Sequence, residues 1–173
     1  MKLNYDEINK LNLNLFIENI ASNQQYKNFF LGNAGQEHYK LLAFFSMLYD
    51  NSVILDVGTN RGFSSLSLSY NKSNQVHSFD LYELKELLNP PENIKYYIDN
   101  VMKKMYKDLI LSASFILLDT FHDGIFEDNF YKYLIEINYV GVLLLDDIFL
   151  NNEMKKFWNS ITHEKYDITN LGH

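Results

Sequence analysis

The chain has 173 residues, 47% of them apolar and 21% charged, with a formal net charge of -7, a makeup that supports a sizeable core and disfavours disorder. It contains no cysteine, so disulfides, thiolate zinc sites and cysteine nucleophiles are excluded and any metal must use oxygen or imidazole ligands. An acidic balance without a run of Lys or Arg disfavours nucleic acid as a partner, and no apolar run approaches the ~20 residues of a bilayer crossing.

The N-terminus, Met1 to Glu7, lacks the basic-then-apolar layout of a signal peptide, which points to a cytoplasmic protein with no membrane partner. No internal repeat or Pro/Gly-rich linker divides the chain, and its two prolines are adjacent at Pro90-Pro91. One domain over 1–173 is the simplest parse, with N-terminal helices over 1–50, a core over 51–150 and a C-terminal helix and tail over 151–173.

In chain order, mostly helical spacing of Ile8, Leu11, Leu15 and Ile20 predicts helix from Asp6 to about Phe30, and Leu41 to Leu48 predicts another, the two joined around Gly32 to Gly35. Five short apolar strands follow: Val53 to Val57, Gln75 to Phe79, Ile94 to Ile98, Ser114 to Leu118 and Val142 to Leu145. Helix-length segments fill the gaps at Phe63 to Tyr70, Leu81 to Leu88, Val101 to Leu111 and Phe126 to Ile137, and Asn152 to Ile161 forms a last helix. Such alternation demands right-handed crossovers, so the fold class is α/β, a doubly wound, mostly parallel, Rossmann-like sheet. Ligands of these sheets gather beyond the carboxyl ends of the strands.

Aspartates stand at those ends: Asp56, Asp80, Asp119 and the pair Asp146-Asp147, with Asp99 after Ile98. Each alone reads as a helix cap or turn residue. Together they read more economically as one shared rim.

After the first strand, Asp56-Val57-Gly58-Thr59-Asn60-Arg61-Gly62-Phe63-Ser64 is a strand-to-helix turn whose glycines let backbone N–H groups approach a ligand. Arg61, the sole arginine, lies within it. Asn60 and Phe63 occupy the positions of the second and third glycines of a dinucleotide fingerprint, and no Gly-Lys-Ser/Thr follows, so dinucleotide and P-loop readings are disfavoured. Asp80 lies about where an acid accepts hydrogen bonds from ribose hydroxyls. A nucleoside-bearing cofactor without a pyrophosphate fits.

These motifs resemble the class I S-adenosylmethionine-dependent methyltransferases, in the branch of catechol O-methyltransferase and the metal-assisted small-molecule and sugar O-methyltransferases. The likeness runs from about Gly35 to Trp158. Gly35-Gln36 matches the family's Gly-Gln helix, Asp56 to Ser64 its first motif, Asp119-Thr120-Phe121-His122 its Asp-x-x-His signature, and Gly141 to Ile148 its Gly-x-Leu-x-x-Asp-Asp segment. The resemblance implies S-adenosyl-L-methionine on the turn formed by Asp56, Gly58, Thr59, Asn60, Gly62 and Ser64, its ribose on Asp80, and Asp119 near its amino group.

Asp119, Asp146 and Asp147 would repel one another unless Mg²⁺ or another divalent cation sat among them, where it would lower the pKa of a substrate hydroxyl and orient it. His122 is then a general base, a metal ligand or a supporting residue. His77 and His163 receive no role, while Phe121, Phe149 and Trp158 are candidates to line a pocket for the hydroxylated small-molecule or sugar acceptor. Two alternatives stay open: a metal-independent methyltransferase with His122 as base, and a non-catalytic module that only binds the cofactor.

The family usually ends its sheet with an antiparallel hairpin, whereas only Tyr166 to Thr169 reads as a strand after the last helix here. An exposed sheet edge invites pairing. The expectation is a shortened C-terminal end with a disordered tail, or a homodimer covering that edge.

Overall fold

A computed structural model describes residues 3–20, 23–83 and 86–171 of the chain. Its centre is a sheet of five parallel strands, β1 (Val53–Val57), β2 (Gln75–Asp80), β3 (Ile94–Ile98), β4 (Ala113–Leu118) and β5 (Val142–Leu145), in the order β3-β2-β1-β4-β5. The strand order reverses between β1 and β4, which makes that boundary the switch point of a doubly wound α/β fold.

Around the sheet lie α1 (Tyr5–Lys10), α2 (Gln24–Leu31), α3 (Asn33–Met47), α4 (Phe63–Leu68), α5 (Lys107–Ser112), α6 (Ile125–Glu136) and α7 (Asn152–Ser160). Side chains alternate across the central strands. Ile54, Phe115 and Leu117 join the core under α1 to α4, while Leu55, Val57, Ile116 and Leu118 join the opposite core under α5 and α6. Burial on both faces explains why β1 and β4 read as unbroken apolar runs.

Register sets the site. Val57 pairs with Phe79 and Leu118, and Leu118 pairs with Leu145, so the chain leaves β1, β2, β4 and β5 at one level. Asp80, Asp119 and Asp146 therefore emerge along one edge.

Four expectations are corrected. The long helix from Asp6 to Phe30 is instead α1, a 3-10 helix over Leu13–Asn19 and α2, because the side chains of Asn4, Asn12 and Asn23 each cap a new start, as asparagine favours. In Leu81 to Leu88, residues 84–85 lie outside the described residues and the rest is not helical. Its amides go elsewhere: Glu86 N donates to Arg61 O at 2.8 Å, Leu88 N donates to Asn19 O at 2.7 Å, and Leu87 bridges to Ile20.

Val101 to Leu111 narrows to a 3-10 turn over Lys104–Tyr106 followed by α5. Tyr166 to Thr169 is not a strand. Asp167 accepts hydrogen bonds there from both the amide and the hydroxyl of Thr169, a local turn that competes with extended pairing. Among the described residues no helix is long and apolar enough to cross a membrane.

Candidate active site at the carboxyl edge of the sheet

Two cavities of about 520 and 340 Å³ open at the switch point, and Gly58, Asn60 and Asp119 line both. Thr59, Ser64, Asp146 and Asp147 line the first, and Asp80 and His122 the second. Asp56 and Gly62 line neither.

Asp56 is fully buried beneath the turn. Its Oδ2 accepts from Ser78 Oγ at 2.6 Å and Ser64 Oγ at 3.1 Å, while Thr59 Oγ1 lies 2.7 Å from Ser78 Oγ. This network ties β1, β2 and α4 together under the ligand-facing backbone. Burial chiefly, with Asp119 and Asp80 nearby, pushes the Asp56 carboxyl up to about 7 against the lowering effect of the two hydroxyls.

Gly58 has a φ of +107°, and a Cβ there would stand 1.6 Å from the Asp119 carbonyl oxygen. No other residue type fits. Gly62, with φ +89°, starts α4 from a left-handed conformation. Asn60 is left-handed too, and its amide donates to Asp80 Oδ2 at 2.7 Å. Asp80 Oδ1 accepts from Tyr82 N at 3.0 Å, so the carboxylate is oriented through both oxygens while each keeps a further lone pair.

The second cavity continues past Asp80 along Asp99, Val101, Phe121 and Phe126, a partly aromatic slot. Phe121 thus meets the expectation of a cavity-lining aromatic. Phe149 and Trp158 line a larger hollow beside β5 that His38, Asp146 and Asp147 also line. His77 stacks on Tyr97 and bonds its hydroxyl at 2.8 Å, and His163 bonds Tyr131 at 2.5 Å, so both have structural partners away from the crevice.

The carboxylates Asp119, Asp146 and Asp147 meet two imidazoles. His122 Nε2 lies 3.3 Å from Asp119 Oδ1 and 3.7 Å from Asp147 Oδ2, and His38 Nδ1 lies 3.8 Å from Asp146 Oδ1. Asp146 is driven up from the usual carboxylate range mainly by burial, with Asp119 and Asp147 adding and His38 opposing. Asp119, above all, raises the His122 imidazole against burial. His122 Nε2 is buried without a hydrogen-bond partner among the described residues.

The donor set therefore fits a divalent cation: clustered acids, an unsatisfied buried nitrogen, and histidines as the carboxylates' only ion-pair partners among the described residues. The bland alternative for the Asp146-Asp147 pair is removed, because Asn151 caps α7 through its side chain.

Backbone strain and a buried acid hold this arrangement. His122 and Asp147 have left-handed φ values of 56° and 52°, uncommon for residues with a side chain and worth noting at a site. Glu127 in α6, 1% exposed, accepts from His122 N at 2.9 Å and Thr120 Oγ1 at 2.6 Å, while Asn151 Nδ2 donates to His122 O at 2.7 Å. Sequence reasoning missed Glu127 and His38. Glu127 carried a signal, as an acid in the first turn of an expected helix; His38 carried none beyond its helix.

The sheet order, glycine turn and acidic edge define the fold of class I methyltransferases. No family model and no curated protein matches the chain. Among solved structures, cofactor-bound Rv0187 from MTB is similar over 73% of this chain and 67% of its own, at 11% identity and a TM-score of 0.56. The O-methyltransferase TomG from Streptomyces achromogenes, involved in tomaymycin synthesis and solved in complex with SAM, is similar over 95% and 81%, at 12% identity and a TM-score of 0.51. At such identities the likeness establishes the fold, a Rossmann-like methyltransferase sheet.

Proposed function

We propose that the chain is an S-adenosylmethionine-dependent O-methyltransferase that uses a divalent cation on Asp119, Asp146 and Asp147 to methylate a hydroxyl of a small molecule or sugar. The observation that carries this reading is the convergence of the glycine turn, Asp80, the three carboxylates and His122 on two adjoining cavities. Similarity in fold to a SAM-complexed O-methyltransferase supports it.

When bound, the cofactor supplies a sulfonium methyl group and the cation acidifies and orients the acceptor hydroxyl. The chain does the rest. The free lone pairs of Asp80 accept from the ribose hydroxyls, Gly58 allows the backbone to approach the methionine portion, and the apolar part of the second cavity shelters the base. The hydroxyl proton, lost as the carbon–oxygen bond forms and the carbon–sulfur bond breaks, passes to a carboxylate of the same edge or to water, with His122 Nε2 held beside Asp119 and Asp147.

Calorimetry with S-adenosylmethionine tests the cofactor, and Asp80→Ala is expected to weaken binding at least about tenfold, about 1.4 kcal/mol. Transfer of labelled methyl to a panel of phenols and sugars, with and without chelator, tests the chemistry. Absence of cofactor binding refutes the proposal. Transfer insensitive to chelator leaves a metal-independent enzyme, and binding without transfer leaves a cofactor-binding module.

A further inference from the structure

Resting on that cation site, we propose that His38 is a further ligand of it, and that the site takes a first-row transition-metal ion in preference to magnesium. His38 reaches the acids from α3. Its ring is held edge-on against Tyr39, at 5.0 Å and 86°, and Tyr39 in turn stacks on Phe30 at 4.8 Å. The imidazole is therefore presented by a packed helix, as a ligand should be.

The separations are those of atoms that share an ion. A charge-assisted hydrogen bond would draw nitrogen and oxygen to about 2.7–2.9 Å. Two donors each about 2.1 Å from one metal, at angles of about 90° to 130°, stand about 3.0–3.8 Å apart. The observed pairs, His38–Asp146 at 3.8 Å, His122–Asp119 at 3.3 Å and His122–Asp147 at 3.7 Å, all fall in the second range.

Two sets of donor atoms share an acid. The donor atoms of His38, Asp119 and Asp146 lie within 4.8 Å of one another, as do those of His122, Asp146 and Asp147. Asp146 belongs to both sets, and the His122–Asp119 approach links them a second time. His122 Nε2 is buried with no hydrogen-bond partner among the described residues, so the crevice offers two nitrogens and three carboxylates in two overlapping sets.

That composition decides the preference. Magnesium takes oxygen ligands in a near-ideal octahedron and keeps several waters, so two imidazoles add little for it. Imidazole nitrogen suits iron, nickel, copper and zinc, and affinity rises along the first-row series from manganese toward copper.

The test is calorimetric titration of chelator-stripped protein with magnesium, manganese and cobalt chlorides near neutral pH, with the visible spectrum of the cobalt form recorded in parallel. Cobalt is expected to bind at least about tenfold more tightly than magnesium. His38→Ala and the gentler His38→Gln should each lower cobalt affinity about tenfold and shift its absorption bands, while leaving magnesium affinity within about twofold.

Equal affinity for magnesium and cobalt overturns the inference, as does a His38 variant that keeps parental cobalt affinity and spectrum. S-adenosylmethionine binding, measured on the same samples, reports folding of each variant and separates the two proposals. Cofactor binding without uptake of any metal sinks the cation site and leaves the cofactor reading standing. Cobalt preference without cofactor binding does the reverse.

Discussion

The pH dependence of folding should carry the imprint of Asp56. Its carboxyl is fully buried, with Ser78 and Ser64 both donating to Oδ2 and no partner for Oδ1 among the described residues. Burial, the leading cause, raises its pKa from 3.8 to about 7. The folded state therefore holds a proton that the unfolded chain gives up near the ordinary value of 3.8, and stability falls as pH rises from about 4 to about 7. A shift of roughly three units corresponds to about 4 kcal/mol lost across that window, a large share of a typical total.

Asp56→Asn isolates this effect. The amide oxygen can still accept from both serines, and no charge develops. Urea unfolding of parent and variant, measured at intervals from about pH 4 to about pH 8, should show the parent losing up to about 4 kcal/mol relative to the variant. Two profiles that run parallel across the window would refute the reasoning, since no buried carboxyl would then be titrating between them.

Three further outcomes are expected. Gly58→Ala must resolve a 1.6 Å approach to the Asp119 carbonyl at φ +107°, so thermal unfolding should show a loss of about 3 kcal/mol or more, with cofactor binding abolished. Glu127→Ala leaves the His122 amide and Thr120 hydroxyl without their acceptor, costing about 2–4 kcal/mol in denaturant and weakening cation binding by calorimetry, with Glu127→Gln recovering most of both. Phe115→Ala empties a fully buried position that stacks on Phe45 at 5.1 Å, and should cost about 3–5 kcal/mol while leaving cofactor affinity unchanged.

The sheet was legible because its central strands are buried on both faces: Val53–Val57 matches its expected bounds, and Ala113–Leu118 differs from them by one residue. The acids were legible because each directly follows or ends such a run. Local pattern failed where tertiary bonding replaced helical bonding. The leucine-rich stretch after β2 has helical spacing, yet its amides serve Arg61 and Asn19, partners that no window of sequence contains. The apolar periodicity of the first segment runs across Asn12 and Asn23 without a break, yet asparagine is a strong capping residue and both act as caps. His38 was illegible for another reason: it meets Asp146 only through the docking of α3, and one histidine on a long helix announces nothing.

The left-handed conformations of His122 and Asp147 set the molecule's robustness against its chemistry. Glycine would relax either backbone at once, so a library sorted for heat resistance alone should drift toward glycine at those two positions. Every such gain would delete a side chain from the crevice, and the hardiest descendants would be the ones least able to hold a metal.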